Sequence, residues 1–280
     1  MPVPPLGPTT HFPPPHKAQP DGLLAWGGDL RPERLLAAYG GGIFPWPHRG
    51  MPLLWFSPDP RWVLPPAELH VPRRLLRRLR QGAFRFSLDA AFDPVIAACA
   101  AISRPGQGGT WITPGMRAAF RRLHALGWAH SVEVWQLEEE GAGWTEPDEG
   151  SAPPSGEGSG VAADAAAWAI PPSARLVGGL YGVAVRGVFT GESMFTLAPD
   201  ASKAAFVTLV RQLRRWGFTL MDTQVQTPHV EKLGARPMAR RDFLTLLASH
   251  PPQDGRPGRW RLDADLAAGL DLDADGDGAA

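Results

Sequence analysis

The sequence predicts an α+β protein in two parts: a small loop-rich N-terminal domain over residues 1–64 and a larger α/β-like domain over 65–250. Three observations predict it. Residues 21–61 are dense in Gly, Pro and Trp (DGLLAWGGDL, GGGIFPWP, WFSPDPR) with a single short helical pattern between them. From about His70, alternating strand patterns and amphipathic helical patterns follow one another. The chain has 280 residues, 44% of them hydrophobic and 20% charged, enough to bury one large core or two modest ones.

The first dozen residues, rich in Pro, read as an irregular arm. RPERLLAAYG is a short helix, with Pro32 near its start and Gly40 past its end. PRRLLRRLR places Leu75, Leu76 and Leu79 on one helical face. Arg73, Arg77 and Arg80 recur at i, i+4 and i+7 on another, with Arg74 and Arg78 beside them. Thr113 and Pro114 form an N-cap and N1 pair for a helix that buries Met116, Phe120 and Leu123 and closes at Gly127. HSVEVWQ alternates as a strand. Residues 138–175 are acidic, rich in Gly, Pro, Ser and Ala and without period, which predicts a disordered insertion. LVGGLYGVAV and RGVFTGESMF read as paired strands. Ser202 to Trp216 follows as a helix carrying Phe206, Leu209, Val210 and Leu213, and FTLMDTQV as a strand. Thr227-Pro228 opens one more short helix. Residues 251–280, Pro-rich and then Asp/Ala/Gly-rich, predict a disordered tail.

Bulk properties exclude several classes. Lys and Arg number 28 against 28 Asp and Glu, so any nucleic-acid site must be local rather than a property of the whole charge. The one cysteine, Cys99, allows neither an intrachain disulfide nor a cysteine-based zinc cluster. The start lacks a basic n-region and an apolar h-region, and no run of 18 apolar residues occurs, which predicts a soluble cytoplasmic chain without a membrane partner. No P-loop is present, and the histidines do not fall at metal-ligand spacing. DLDADGDG begins like a calcium loop but ends before the acidic twelfth position. No pyrophosphate loop of the kind that holds coenzyme A is found.

The strand FTLMDTQV carries the most chemistry. Alternation puts Asp222 and Gln224 on the face of Phe218 and Leu220, with Met221, Thr223 and Val225 opposite. An acid and an amide on one face near a strand end need partners or a solvated cleft; the bland alternative is a strand running out into water. Glu192, in GESMF, is either a second acid of the same cleft or a turn residue. The arginine helix is either a solvated face or a phosphate site, since arginine's planar fork suits phosphate. Trp46 and Trp111, in Gly/Pro-rich loops, are either plugs over the core or stacking platforms for a base.

Taken in order and spacing, DGLLAWGGDL, GIFPW, WFSPDPR, GTWIT, HSVEVW, LVGGLYGVAVRGVFTGESMF, SKAAFVTL, MDTQV and LGARPMARRDFL resemble the leucyl/phenylalanyl-tRNA–protein transferases of bacteria over residues 10–137 and 176–248. The resemblance implies an acetyltransferase-like (GNAT) fold for the second domain. It also implies transfer of Leu, Phe and, less readily, Met from aminoacyl-tRNA to acceptor proteins that begin with Lys or Arg, marking them for N-end rule degradation. By the same resemblance Asp222, Gln224 and Glu192 are the catalytic residues. Trp46 and Trp111 bind the terminal adenosine, and Tyr39, Phe120, Leu180, Phe189 and Met221 line the pocket for the aminoacyl side chain. Arg73, Arg74, Arg77, Arg78 and Arg80 meet the phosphates of tRNA. Phe120 stands where tyrosine is usual and Thr190 where cysteine is usual, changes that bear on substrate preference. No cofactor and no metal is called for, because the aminoacyl ester is already activated. The expected mechanism has Asp222 holding the acceptor amine and helping to remove its proton, with Gln224 orienting it and Glu192 positioning the donor. The competing readings are an N-acyltransferase that uses acyl-coenzyme A and a catalytically silent tRNA-binding module. A monomer is the default expectation.

Overall fold

The computed structural model describes residues 2–48, 50–102, 110–137, 170 and 173–269. In the N-terminal part, β1 (Pro5–Leu6), β2 (Leu23–Gly27), α1 (Pro32–Gly40), β3 (Phe44–Pro45) and β4 (Leu54–Phe56) build a small mixed sheet in the order β1-β2-β4-β3. Trp55, fully buried, anchors it: its indole N–H donates to the Gly27 carbonyl at 2.9 Å.

The larger part begins with β5 (Arg61–Leu64), α2 (Arg73–Arg80), β6 (Arg85–Leu88), α3 (Phe92–Ala101), α4 (Pro114–Ala125) and β7 (Ala129–Leu137). It continues with β8 (Ala174–Val185), β9 (Val188–Thr196), α5 (Ala201–Arg215), β10 (Leu220–Gln224), α6 (Pro228–Glu231), β11 (Arg236–Met238), α7 (Arg240–Ser249) and α8 (Ala264–Ala268). Seven strands form one sheet in the order β11-β5-β10-β9-β8-β7-β6. β5, which the composition shift places in the N-terminal domain, pairs instead with β10 and β11 in this sheet. Among the described residues no helix is long and apolar enough to cross a membrane.

Local sequence explains the elements. Thr113 Oγ1 accepts the Met116 N–H at 3.2 Å and starts α4; Gly127, at φ 78°, supplies the left-handed turn after it. Arg186 and Gly187, both at positive φ, make the two-residue turn of the β8–β9 hairpin. β8 is buried on both faces. Leu180 and Ala184 face α5, while Tyr181, Val183 and Val185 join the core shared with α3, α4 and α1. α5 is buried almost all round, not on one stripe as its amphipathic pattern predicts, because the sheet, α2 and the C-terminal segment all pack against it.

The disordered-tail expectation fails for residues 251–269. Trp260 is 3% exposed and stacks on His130 with ring centroids 3.6 Å apart, and Leu262 and Leu266 enter the same core. The Trp260 N–H donates to Asp89, and the Asp263 N–H donates to Gln212. A few large apolar residues thus hold a segment whose average composition resembles a tail. The remainder, with the calcium-like run, lies outside the described residues, as does most of the expected insertion; its last two residues, Ala174 and Arg175, are strand.

Candidate active site

The cleft lies where two parallel strands part. β9 and β10 pair through Val188–Leu220, Phe189–Met221 and Thr190–Asp222, and no further. Beyond that point each strand carries an irregularity. In β9, Tyr181 pairs Ser193 and Gly182 pairs Gly191, which leaves Glu192 as an extra residue. In β10, Asp222 pairs Val63 and Gln224 pairs Trp62, which leaves Thr223 extra, and Gln224 takes φ 65°. Such bulges break the two-residue period and re-aim side chains. Gly182 makes the first one possible: a Cβ there would lie 2.2 Å from the Thr190 carbonyl oxygen.

The result corrects the alternation expected for FTLMDTQV. Gln224 lines the cleft together with Met221, the residue assigned to the opposite face, whereas Asp222 does not line it. Asp222 is fully buried behind the cleft wall. Arg61 donates to it twice, Nε to Oδ1 at 2.8 Å and Nη2 to Oδ2 at 2.7 Å. The Thr190 hydroxyl donates to Oδ2 at 3.0 Å and the Gln224 backbone N–H to Oδ1 at 2.9 Å. Four donors fill the carboxylate. Arg61 also donates to the Gly42 carbonyl and lies between the rings of Phe44 and Phe243, 4.7 and 4.9 Å from their centroids. The pair is therefore a fixed strut between the N-terminal part and the sheet.

Glu192 is the acid that lines the cleft. Its Oε1 accepts from Tyr39 Oη at 2.8 Å and from Gln224 Nε2 at 2.9 Å. Burial, reinforced by the charge of Asp222 and opposed by these hydrogen bonds, pushes its pKa up to about 8. Burial and the neighbouring Glu192 hold the Tyr39 phenol well above its ordinary value, so it stays a donor.

The cleft encloses about 460 Å³. Leu180, Met194, Phe206 and Met221 give it an apolar wall, and Trp46 and Trp111 reach it from loops of different parts of the chain. Phe120 and Phe189 are fully buried and lie outside the lining: Phe120 packs edge-on against Tyr181, and Phe189 lies beside Gly182. Tyr39 is also behind the wall and meets the cleft through Glu192.

Of the arginine helix, Leu75 and Leu79 are buried and Arg73, Arg74, Arg77 and Arg80 are exposed, while Arg78 lies over the Phe84 ring. Arg74 and Arg78 act electrostatically on Asp200, which Lys203 binds at 2.7 Å, and Lys203 in turn acts on the cleft residue His229. A line of charged groups, four of them basic with Lys232 and one acidic, thus runs from the cleft to α2. Arg61 was the residue that sequence reasoning passed over. It lies within WFSPDPR, and the only signal was a lone arginine at the start of an apolar strand. Among the described residues no group of three or more His, Cys, Asp or Glu side chains is placed to hold a metal ion.

Known proteins point the same way. The profile of the family described as "Leucyl/phenylalanyl-tRNA protein transferase" matches residues 63–144 and 158–248, and that of its N-terminal domain matches residues 28–59. The chain is 51% identical to the leucyl/phenylalanyl-tRNA–protein transferase of Nitratidesulfovibrio vulgaris (strain DP4) over 255 residues, covering 91% of this chain and 94% of that one. The protein of the same name from Anaeromyxobacter sp. (strain K) is 51% identical over 90% of this chain and 92% of its own. That of Myxococcus xanthus (strain DK1622) is 46% identical over 89% and 91%.

Proposed function

The chain belongs to the leucyl/phenylalanyl-tRNA–protein transferase family, and on that footing we propose how its cleft works. It transfers an aminoacyl group from tRNA to proteins. Donors are Leu-tRNA and Phe-tRNA, with Met-tRNA less effective; acceptors are proteins that begin with Lys or Arg, which the added residue marks for N-end rule degradation. The enzyme acts in the cytoplasm as a monomer.

The observation that carries this reading is the contact of Glu192 and Gln224 inside the cleft, between an apolar wall and two tryptophans. The aminoacyl side chain lies against Leu180, Met194, Phe206 and Met221. An apolar pocket discriminates only about 1–3 kcal/mol per methylene, so leucine, phenylalanine and methionine share it. Trp46 and Trp111 stack on the terminal adenosine, and the line of charge through Lys203 to the arginine helix receives the phosphates.

In the reaction the acceptor's α-amine attacks the ester carbonyl. The new C–N bond forms, the bond to the ribose oxygen breaks, and the proton lost by nitrogen ends on that oxygen. An α-amine ionises near pH ~8, and Glu192 is poised at about 8. Proton exchange between the two is nearly balanced, the condition under which a general base works best. Gln224, held by Glu192 and by the Asp222–Arg61 strut, orients the amine. Asp222 acts from behind, as the group that fixes the Gln224 backbone in its left-handed conformation. This reassigns the base from Asp222 to Glu192.

The test is transfer of radiolabelled leucine from Leu-tRNA to a protein with N-terminal arginine, with an N-terminal alanine protein as control. The reading predicts label on the arginine protein alone. Absence of transfer from Leu-, Phe- and Met-tRNA by folded enzyme would overturn it.

A further inference from the structure

Among the described residues lining the cleft, one side-chain polar atom is buried without a hydrogen-bond partner: Nε2 of His229. His229 sits on the short helix α6, and its ring is half-buried. A buried donor or acceptor left unmade in the free protein points to a partner that arrives with the ligand. The surrounding charges say which part of the ligand. Two cations, Lys203 and Lys232, and one acid, Asp200, act on the ring, and Lys203 binds Asp200 at 2.7 Å. The cationic side chain of an acceptor that begins with Lys or Arg is repelled from this corner, whereas an anionic oxygen is drawn to it. Burial, followed by the charge of Lys203, holds the imidazole below its ordinary pKa, and a neutral ring donates from Nε2 in the tautomer that carries its proton there.

Position supplies the rest. Glu192 and Gln224 mark where the ester reacts, and the line of charge runs past His229 toward Arg74 and Arg78. On that reading the nucleotide chain that connects the reacting ester to the acceptor stem follows this line of charge. We infer that His229 Nε2 donates to the phosphodiester joining the donor's terminal adenosine to the nucleotide before it, and so positions the aminoacyl ester beside Glu192. The inference rests on the reading of this cleft as the aminoacyl-tRNA site.

The experiment compares two donors, leucyl-tRNA and leucyl-adenosine, which carries the ester and the base but no phosphate. For wild type, His229→Ala and His229→Gln, the quantity read is the ratio of kcat/KM for the two donors. A hydrogen bond to a charged group predicts that His229→Ala lowers this ratio about ten- to hundredfold, mainly through KM for leucyl-tRNA. His229→Gln, which keeps a donor nitrogen on a side chain of similar reach, restores most of it. Equal losses with both donors in His229→Ala, as a structural role or a proton relay would give, would overturn the inference. So would a Gln variant as defective in the ratio as the Ala variant. Wild-type transfer from leucyl-tRNA reports on the reaction itself and is read separately from the ratio.

Discussion

Glu133 and Glu192 sit on the two strands that flank β8, and both are buried. Burial is the main reason that their pKa values rise, to about 7 and about 8. Their surroundings differ. The hydroxyls of Ser87 and Ser131 donate to Glu133, the Ala90 N–H adds a third bond, and the side chain does not line the cleft. Glu192 is held on one oxygen by a phenol and an amide and lines a cavity of about 460 Å³. A raised pKa therefore does not identify a catalytic acid. What distinguishes Glu192 is its place in the lining of the cleft, together with the bulge at which it stands.

The contrast can be broken by exchanging the acids for amides. Glu192→Gln should lower transfer about 10²–10⁴-fold, the range of a positioned general base, without unfolding the protein. Glu133→Gln should leave transfer at the wild-type level in the same single-turnover assay. An equal loss in both variants would erase the distinction.

The strut behind the cleft sharpens it further. Arg61→Met leaves Asp222 buried and unpaired, and denaturant unfolding should register a loss of about 3–5 kcal/mol, with transfer reduced as well. The double variant Arg61→Met/Asp222→Leu should recover much of that stability but not the transfer, because Gln224 has lost its backbone anchor.

Stability against pH gives the next largest effect. Both glutamates have folded pKa values above the ordinary 4.5, so the folded state holds their protons more tightly than the unfolded chain does. Their contribution is complete below about pH 4.5 and is lost as pH rises toward 7 for Glu133 and 8 for Glu192. Glu133→Gln should remove the part of this decline that ends near 7, and Glu192→Gln the part that ends near 8. Melting temperatures across this window distinguish them. The smallest effect is at the arginine helix. Arg77→Gln should reduce the slope of log affinity for tRNA against log salt by roughly 0.7–0.9 if that side chain meets one phosphate.

Much of the fold could be read from local patterns. The Thr113 cap, the apolar face of α4 and the pairing of β8 with β9 each depend on residues near one another in sequence, and each forms as expected. The site depends on pairings that local patterns do not contain. Gln224 turns into the cleft because Thr223 is extra in its strand, and alternation alone places it with Asp222. Arg61 meets Asp222 across 161 residues of sequence, so no spacing rule could join them. Trp260 is one large residue in a Pro-rich stretch, and window-averaged composition conceals the core position it takes. Glu192 and Gln224 could be named from the sequence, but their mutual contact and the retreat of Asp222 behind the wall required the sheet.

The central claim is that Glu192, not Asp222, exchanges the proton. Its most direct test is the pH dependence of single-turnover leucyl transfer, wild type against Glu192→Gln, with a preformed Leu-tRNA complex and saturating acceptor. The wild-type rate should rise through a group near pH 8 that belongs to the enzyme in addition to the acceptor amine, and the variant should keep only the dependence due to the amine. Superimposable profiles, differing in height alone or not at all, would contradict the account and return the proton to another group.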